Sequence, residues 1–210
     1  MLHYLYHTEL HAYPKLYESM FKDRADQFKR RLQWAVQVDE QGYEQDDYDQ
    51  LNPLYAIWVL PDGRHGGSMR TLPTTGPVMV NDHFKEVIGH EISAPNIWES
   101  TRFCLAPDLR DRAFRISAAI MLAGCEIGLQ FNLEKAVAIF DPRMVRIYRT
   151  LGWPPQVLGS IGTGRDRICA GTWQFSETTR RNMAKRAGVS PELSRLWIRR
   201  AFDNKSDAAA

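Results

Sequence analysis

Leu54-Tyr55-Ala56-Ile57-Trp58-Val59-Leu60, then Pro61-Asp62-Gly63-Arg64, then His65-Gly66-Gly67-Ser68-Met69-Arg70-Thr71-Leu72 is the stretch that decides the fold. Its first seven residues have the aromatic and β-branched content of a strand. Pro61 presets φ and Gly63 permits a positive φ, so 61–64 turns the chain and 65–72 returns as the hairpin partner. Towards the N-terminus, 3–10 has strand composition. Residues 12–32 read as a helix, with Leu16, Met20, Phe21 and Phe28 spaced among charges. Residues 36–50 are polar and loop-like. Towards the C-terminus, 82–89 reads as a short helix, 96–105 as a strand and 108–130 as a long helix around an apolar run at 118–123. A strand at 136–140, a helix at 142–151 and strands at 155–162 and 167–175 follow. Helices near 176–187 and 191–203 close the chain, the second with Ser190 as N-cap and Pro191 at its first position. Strands and helices interleave without a repeat. This is an α/β sandwich, one sheet covered by helices.

Composition bounds the rest. A chain of 210 residues is expected to form one domain, 1–210. With 44% hydrophobic and 25% charged residues it is not a disordered chain, a collagen-like fibre or a disulfide miniprotein. The net charge of +2 leaves no global nucleic-acid footprint. No run approaches the ~18 apolar residues of a membrane span. The first residues lack a secretory signal pattern. Cys104, Cys125 and Cys169 are odd in number and lack C-x-x-C spacing, so they read as core residues in a reducing cytoplasm rather than disulfide or zinc ligands. His3, His7 and His11 are spaced by four, but on a segment read as a strand, so no metal site is assigned. Charge is uneven. Residues 36–50 hold six acids and no base, whereas 142–210 holds 13 bases and five acids.

Four constellations carry chemistry. Arg24, Phe28 and Arg31 share a helical face by spacing, with Trp34 just beyond, and suit a carboxylate-bearing or flat-ringed ligand. Glu44, Asp46 and Asp49 crowd like charges together, which calls for a cation or nearby arginines. The EF-hand pattern is missing there. Arg70 precedes a stiff Pro73-Thr74-Thr75-Gly76-Pro77 turn and stands at a strand end. In Trp98-Glu99-Ser100-Thr101-Arg102-Phe103, strand alternation places Trp98, Ser100 and Arg102 on one face and Glu99, Thr101 and Phe103 on the other, unless a bulge intervenes. Glu99 among aromatics is a candidate general base. There is no G-x-S-x-G, Walker A or G-x-G-x-x-G motif.

Taken in order, Arg24, Phe28, Trp34, Glu44, Asp46, Asp49, Arg70, Phe84, Glu99 and Arg102 resemble the acyl-homoserine-lactone synthases, the autoinducer synthases of LuxI type. The resemblance runs from about Phe21 to Phe103 and, more weakly, through Ala136 to Trp153. It implies a three-layer α-β-α sandwich akin to the GNAT N-acyltransferases, with a mixed central sheet and splayed strands forming an acyl cleft. It implies a cytoplasmic quorum-sensing enzyme that moves an acyl group from acyl carrier protein to S-adenosyl-L-methionine, closes the lactone and releases 5′-methylthioadenosine. No cofactor or covalent acyl-enzyme is expected. Glu99 would be the base, with Arg70 and Arg102 beside it and backbone amides of a splayed strand at the oxyanion. Arg24, Phe28, Arg31, Trp34, Glu44, Asp46 and Asp49 would form the adenosyl-methionine side. The acids would pair with Arg24, Arg70 and Arg102, the individual pairs unassigned. Phe84, Thr101, Phe103 and Ala138 would line the acyl pocket.

The basic C-terminal part suits an acidic carrier protein, with Arg143, Arg146 and Arg149 on one helix as the dock. Ala138 stands where the family often has Thr when 3-oxo chains are used, which points to an unsubstituted or 3-hydroxy chain. A rival is an acyl-coenzyme A-dependent member of the same fold. Another is a DNA-binding regulator, because residues 183–195 have a helix-turn-helix cadence. Two packed terminal helices joined by a capped turn explain that cadence without nucleic acid.

Overall fold

The computed structural model describes residues 1–206; the last four residues of the domain expected over 1–210 lie outside the described residues. The strands are β1 (Leu2–Tyr6), β2 (Leu54–Val59), β3 (His65–Pro73), β4 (Ile97–Leu105), β5 (Lys135–Phe140), β6 (Gln156–Ile161) and β7 (Ile168–Gln174). They form one sheet in the order β1-β2-β3-β4-β5-β7-β6. The opening hairpin is β2–β3, with Leu54 opposite Thr71 and Trp58 opposite Gly67. Gly63 turns it at φ +85°, a conformation glycine adopts freely. All neighbouring strands are antiparallel except β4 and β5.

The helices are α1 (His7–Leu10), α2 (Pro14–Ala25), α3 (Met79–Asp82), α4 (Lys85–Ile88), α5 (Ala113–Gln130), α6 (Arg143–Leu151), α7 (Glu177–Ala187) and α8 (Pro191–Ser206). α2 lies over β3 and β4, and α3 and α4 lie over β5, β6 and β7. On the other face α5 crosses β1 to β4, α7 packs along α5, and α8 covers β1 and α5. This is the three-layer sandwich. By length and hydropathy α5 is apolar enough to cross a membrane. Here it is the core helix: Ala118, Ala119, Leu122 and Cys125 pack with Phe140 and Trp173, while Ile116, Ile120 and Ala123 pack on Leu2, Leu54 and Ala56. Burying side chains of this size from water is the main favourable contribution to such a fold.

Several boundaries differ from the sequence reading. β1 stops at Tyr6 and the chain turns into α1, held by Asn52, whose side-chain oxygen accepts from the Thr8 amide at 3.0 Å. The helix expected over 12–32 is α-helical only to Ala25 and then winds as a π-helix over Asp26–Arg31. The helix expected over 82–89 is two short ones, α3 and α4. The helix-turn-helix cadence resolves into α7 and α8 with their inner faces already used. Met183, Ala184 and Ala187 of α7 are in the core with α5, and Ile198 of α8 is buried with Leu2, Ile116 and Ile120. Ser190 caps α8 by accepting from the Leu193 amide at 3.1 Å, as its position predicts.

The feature that makes a site is the break between β4 and β5. They pair only at Ile97–Lys135, Trp98–Ala136 and Glu99–Val137. Beyond Glu99, β4 stays on β3 and β5 stays on β7, so the two strands diverge into a V. A bulge accompanies the divergence. The β3–β4 register shifts between Ser68 and Arg70, and opposite it Arg102 takes φ +53°.

Candidate active site at the strand splay

The bulge reorders the β4 side chains. Strict alternation would put Arg102 with Trp98 and Ser100. Instead the left-handed turn at Arg102 brings its guanidinium to the α2 side, with Glu99 and Thr101, and sends Phe103 to the α5 side among the core residues. The expected pairing of faces is therefore corrected from residue 102 onward.

On the α2 side three arginines and three acids form a closed ring of alternating charge. Arg24 donates from Nε to Glu44 at 2.6 Å and from Nη1 and Nη2 to the two Asp49 oxygens at 3.0 and 2.9 Å. Arg102 donates to Glu44 at 3.1 Å and to Asp46 at 2.7 Å. Arg70 closes the circuit, donating to both Asp46 oxygens and, at 2.8 Å, to Asp49. Arg70 also donates to Thr101 Oγ1 at 3.0 Å, and the Tyr55 hydroxyl donates to Asp49. Arg24, Arg70, Glu44 and Asp49 are buried to within 1% of full burial. Burial alone would raise the Asp49 carboxyl, but Arg24 and Arg70 hold it well below the usual carboxylate range. The pairs left open by the sequence are thus fixed, and the acidic loop has its reason.

Four of the expected contacts change meaning. Arg24 and Asp49 do not reach the cleft, because their polar atoms are consumed by the ring; they position other groups. Arg70 is likewise buried and acts through Asp46 and Thr101. Arg31 leaves the face shared by Arg24 and Phe28, since π-helical winding advances fewer degrees per residue than α-helical winding. It is exposed on the cleft wall.

The cleft itself encloses about 1670 Å³ between the π-turn with its following loop, the end of β4, the start of α5, and α6. Phe28 and Trp34 stack at 5.1 Å between ring centres with planes 14° apart. The Arg102 guanidinium lies 5.4 Å from the Phe28 ring, so ring network, phenyl and indole form a ladder to the surface. Trp34 is 42% exposed and offers its indole to the cleft.

Glu99 stands at the last rung before the strands part. One oxygen accepts from the Met79 amide at 3.0 Å and the other from the Val80 amide at 2.6 Å. Burial pushes its carboxyl up to about 7, against the lowering effect of those amides. Such a group changes protonation near neutrality, which suits proton transfer. The amides of Met79 and Val80 are hydrogen-bond partners of Glu99 that the sequence does not point to. The nearest signal is the stiff 73–77 turn just before them. Met79 also places its thioether 3.7 Å from Arg70 and 3.5 Å from Arg102.

On the α5 side of β4 lies a second, almost wholly apolar cavity. It meets the cleft at Ser100, Thr101, Phe103, Ala138 and Tyr148, which line both. Thr101, Phe103 and Ala138 are therefore together, as expected for an acyl pocket. Phe84 meets them only along the large cleft, which it lines next to His83 just before α4, and it does not line the apolar cavity. Arg143, Arg146 and Arg149 are all exposed on α6, beside the cleft mouth. Arg143 is engaged by Asp141, and only Arg143 and Arg146 line the cleft.

Residues 7–183 match the autoinducer synthase family. The chain belongs to that family. It is 34% identical over 194 residues to the acyl-homoserine-lactone synthase of Rhizobium etli, covering 88% of this chain and 91% of that one. It is 38% identical over 149 residues to the acyl-homoserine-lactone synthase of Aliivibrio fischeri, covering 68% and 76%. Among solved structures it is similar to BjaI, a coenzyme A-dependent acyl-homoserine lactone synthase determined with SAM and isopentyl-CoA (TM-score 0.80, 25% identity, 90% of each chain). It is also similar to the synthase LasI (TM-score 0.76, 26% identity, 90% and 97% of the chains). An N-acetyltransferase of Lactobacillus plantarum shares the fold, with TM-score 0.55, 14% identity, and 83% and 99% coverage. The chain is an acyltransferase of the acyl-homoserine-lactone synthase kind, on a GNAT-like sheet.

Proposed function

We propose that the enzyme transfers an acyl group from acyl carrier protein to the amine of S-adenosyl-L-methionine and closes the product to an acyl-homoserine lactone. The observation that carries this is the meeting, at the V between β4 and β5, of a charged, aromatic-walled cleft and an apolar cavity. The Phe28–Trp34 stack and the Arg102 side of the ring suit an adenosyl ring and an amino-acid headgroup. The apolar cavity suits the acyl tail. Glu99, between them, takes the proton from the attacking amine. The new bond joins that nitrogen to the thioester carbonyl carbon, the carbon–sulfur bond breaks, and the carrier thiolate is protonated. Lactonisation then forms a bond from the substrate carboxylate oxygen to its γ-carbon, with the sulfonium leaving as 5′-methylthioadenosine. Sulfonium is a good leaving group, so this step needs positioning more than acid–base help.

The exposed arginines of α6 at the cleft mouth support an acidic carrier protein as donor. A coenzyme A thioester is the second reading, favoured by the similarity to BjaI. Ala138 cannot donate a hydrogen bond to a 3-oxo group, which supports an unsubstituted or 3-hydroxy chain. The three buried, unbridged cysteines agree with a cytoplasmic setting. The test is incubation with S-adenosyl-L-methionine and acyl donors on carrier protein and on coenzyme A, read by mass spectrometry. A lactone together with methylthioadenosine is expected. Absence of both from folded protein with every donor would remove the reading.

A further inference from the structure

The apolar cavity is small and its walls differ in stiffness. It holds about 50 Å³, bounded on the sheet side by Met69, Thr71 and Trp98 and on the far side by Met121, Gly124 and Phe175 of and beside α5. A group of water or methyl size needs roughly 10–15 Å³ by this measure, so there is room for about three to five carbons.

Two glycines one turn apart on α5 explain the size. At Gly128 an added Cβ would lie 2.2 Å from the Phe175 ring, and at Gly124 it would lie 2.9 Å from Met69 Cε. Each glycine thus admits a side chain from another element into the space its own side chain would fill. Phe175 is a ring seated flush on the helix backbone and cannot retreat without unseating it. Met69 is an unbranched thioether with three rotatable bonds, and its tip is the movable part of the wall. Met69 is buried, 5% exposed, and its backbone lies at the β3–β4 bulge that opens the V.

We propose that this enzyme selects a short acyl tail, with three to five carbons beyond the carbonyl, and that Met69 against Gly124 sets the limit. The inference rests on the acyltransfer reading and specifies its substrate class. The carbonyl sits at the shared mouth of Thr101, Phe103 and Ala138, and the tail runs between β3–β4 and α5 until it meets the Met69 tip. Removing that tip lengthens the space. Adding a side chain at Gly124 presses the tip inward and shortens it.

The test compares wild type, Met69→Ala, Met69→Val and Gly124→Ala with acyl donors of four to fourteen carbons. It reads kcat/KM for each. In parallel, tryptophan fluorescence follows binding of the acyl-coenzyme A series, because Trp98, Trp153 and Trp173 line the cavity. Wild type is expected to peak at four to six carbons and to fall at least tenfold by ten. Met69→Ala should move the optimum up by two or more carbons, Met69→Val by less, and Gly124→Ala should favour the shortest donors. The optima of the opposed variants separate a real limit from loss of folding, which lowers all donors alike. A wild-type optimum of ten or more carbons, or optima that do not move, overturns the proposal while leaving acyl transfer standing. Lack of product from every donor overturns acyl transfer itself; chain-length-independent fluorescence then overturns the limit as well.

Discussion

The two sides of β4 are built on opposite principles. The side facing α2 carries Glu99, Thr101 and Arg102 and is wired to Arg24, Arg70, Glu44, Asp46 and Asp49 by directional bonds of defined length. The side facing α5 carries Trp98, Ser100 and Phe103 and is shaped by packing around the absent side chains of two glycines. Directional bonds fix where atoms sit and where protons go. Packing fixes only how much volume is left. The polar side should therefore govern rate and integrity for every donor, and the apolar side the choice among donors.

The most damaging way to break the first half of that comparison is Asp49→Ala. It leaves two buried guanidinium groups, Arg24 and Arg70, each short of one carboxylate partner, and breaking a buried pair in this way costs about 3–5 kcal/mol. Urea unfolding should show the loss, with activity falling for all donors alike. The sign with pH follows from the depressed Asp49 carboxyl. Its contribution is present above the ordinary carboxylate value of 3.8 and is lost as the pH falls through the lower folded value. Acid titration of wild type should lose this increment, and the variant should have none to lose.

Next is Glu99→Gln. It should fold and bind S-adenosyl-L-methionine but lose about 10²–10⁴-fold in turnover. The wild-type rate should rise with pH through about 7 as Glu99 gives up its proton, and the variant should lack that limb. The stability sign is opposite to that of Asp49. A carboxyl raised in the folded state favours the native protein at low pH, and that contribution is lost as the pH rises through about 7. Unimpaired turnover in Glu99→Gln would take Glu99 out of the chemistry.

Trp34→Ala removes one rung of the Arg102–Phe28–Trp34 ladder. Stacking of this kind contributes about 0.5–1.5 kcal/mol, so KM for S-adenosyl-L-methionine should rise roughly two- to tenfold with little change in kcat. On the apolar side, Ala138→Thr should alter preference rather than rate, raising the 3-oxo to unsubstituted ratio a few-fold in a mixed-donor competition. The smallest effect belongs to the rim. Arg146→Glu should raise KM for a carrier-protein donor a few-fold at low salt and leave a coenzyme A donor unaffected. Arg143→Glu serves as the contrast, since Asp141 already occupies its guanidinium.

The same division explains what the sequence reveals. Paired charges advertise themselves. Six acids without a base across 36–50 call for the cations Arg24, Arg70 and Arg102 wherever the loop lies, and the fold brings three of them, Glu44, Asp46 and Asp49, to those arginines. Alternating strands and the Pro61–Arg64 turn likewise follow from local chemistry. What stays hidden depends on one-residue backbone events. The π-winding after Ala25 turns Arg31 out, and the bulge at Arg102 reverses the end of β4; neither leaves a compositional mark. The amides of Met79 and Val80 are invisible because any residue supplies an amide. The cavity is invisible because its size is set by what Gly124 and Gly128 lack, seen only once Met69 and Phe175 arrive from elsewhere in the chain.

The ring also has a consequence for how this protein can vary. Each of its six members bonds to two others, so the first replacement opens the circuit and leaves both neighbours short of a partner. A second replacement, at one of those neighbours, removes a group already stranded and should cost much less than it would alone. Effects within the ring are thus strongly epistatic. Stepwise drift is blocked at its first step, and the six positions can change only in concert or by a passage through an unstable intermediate.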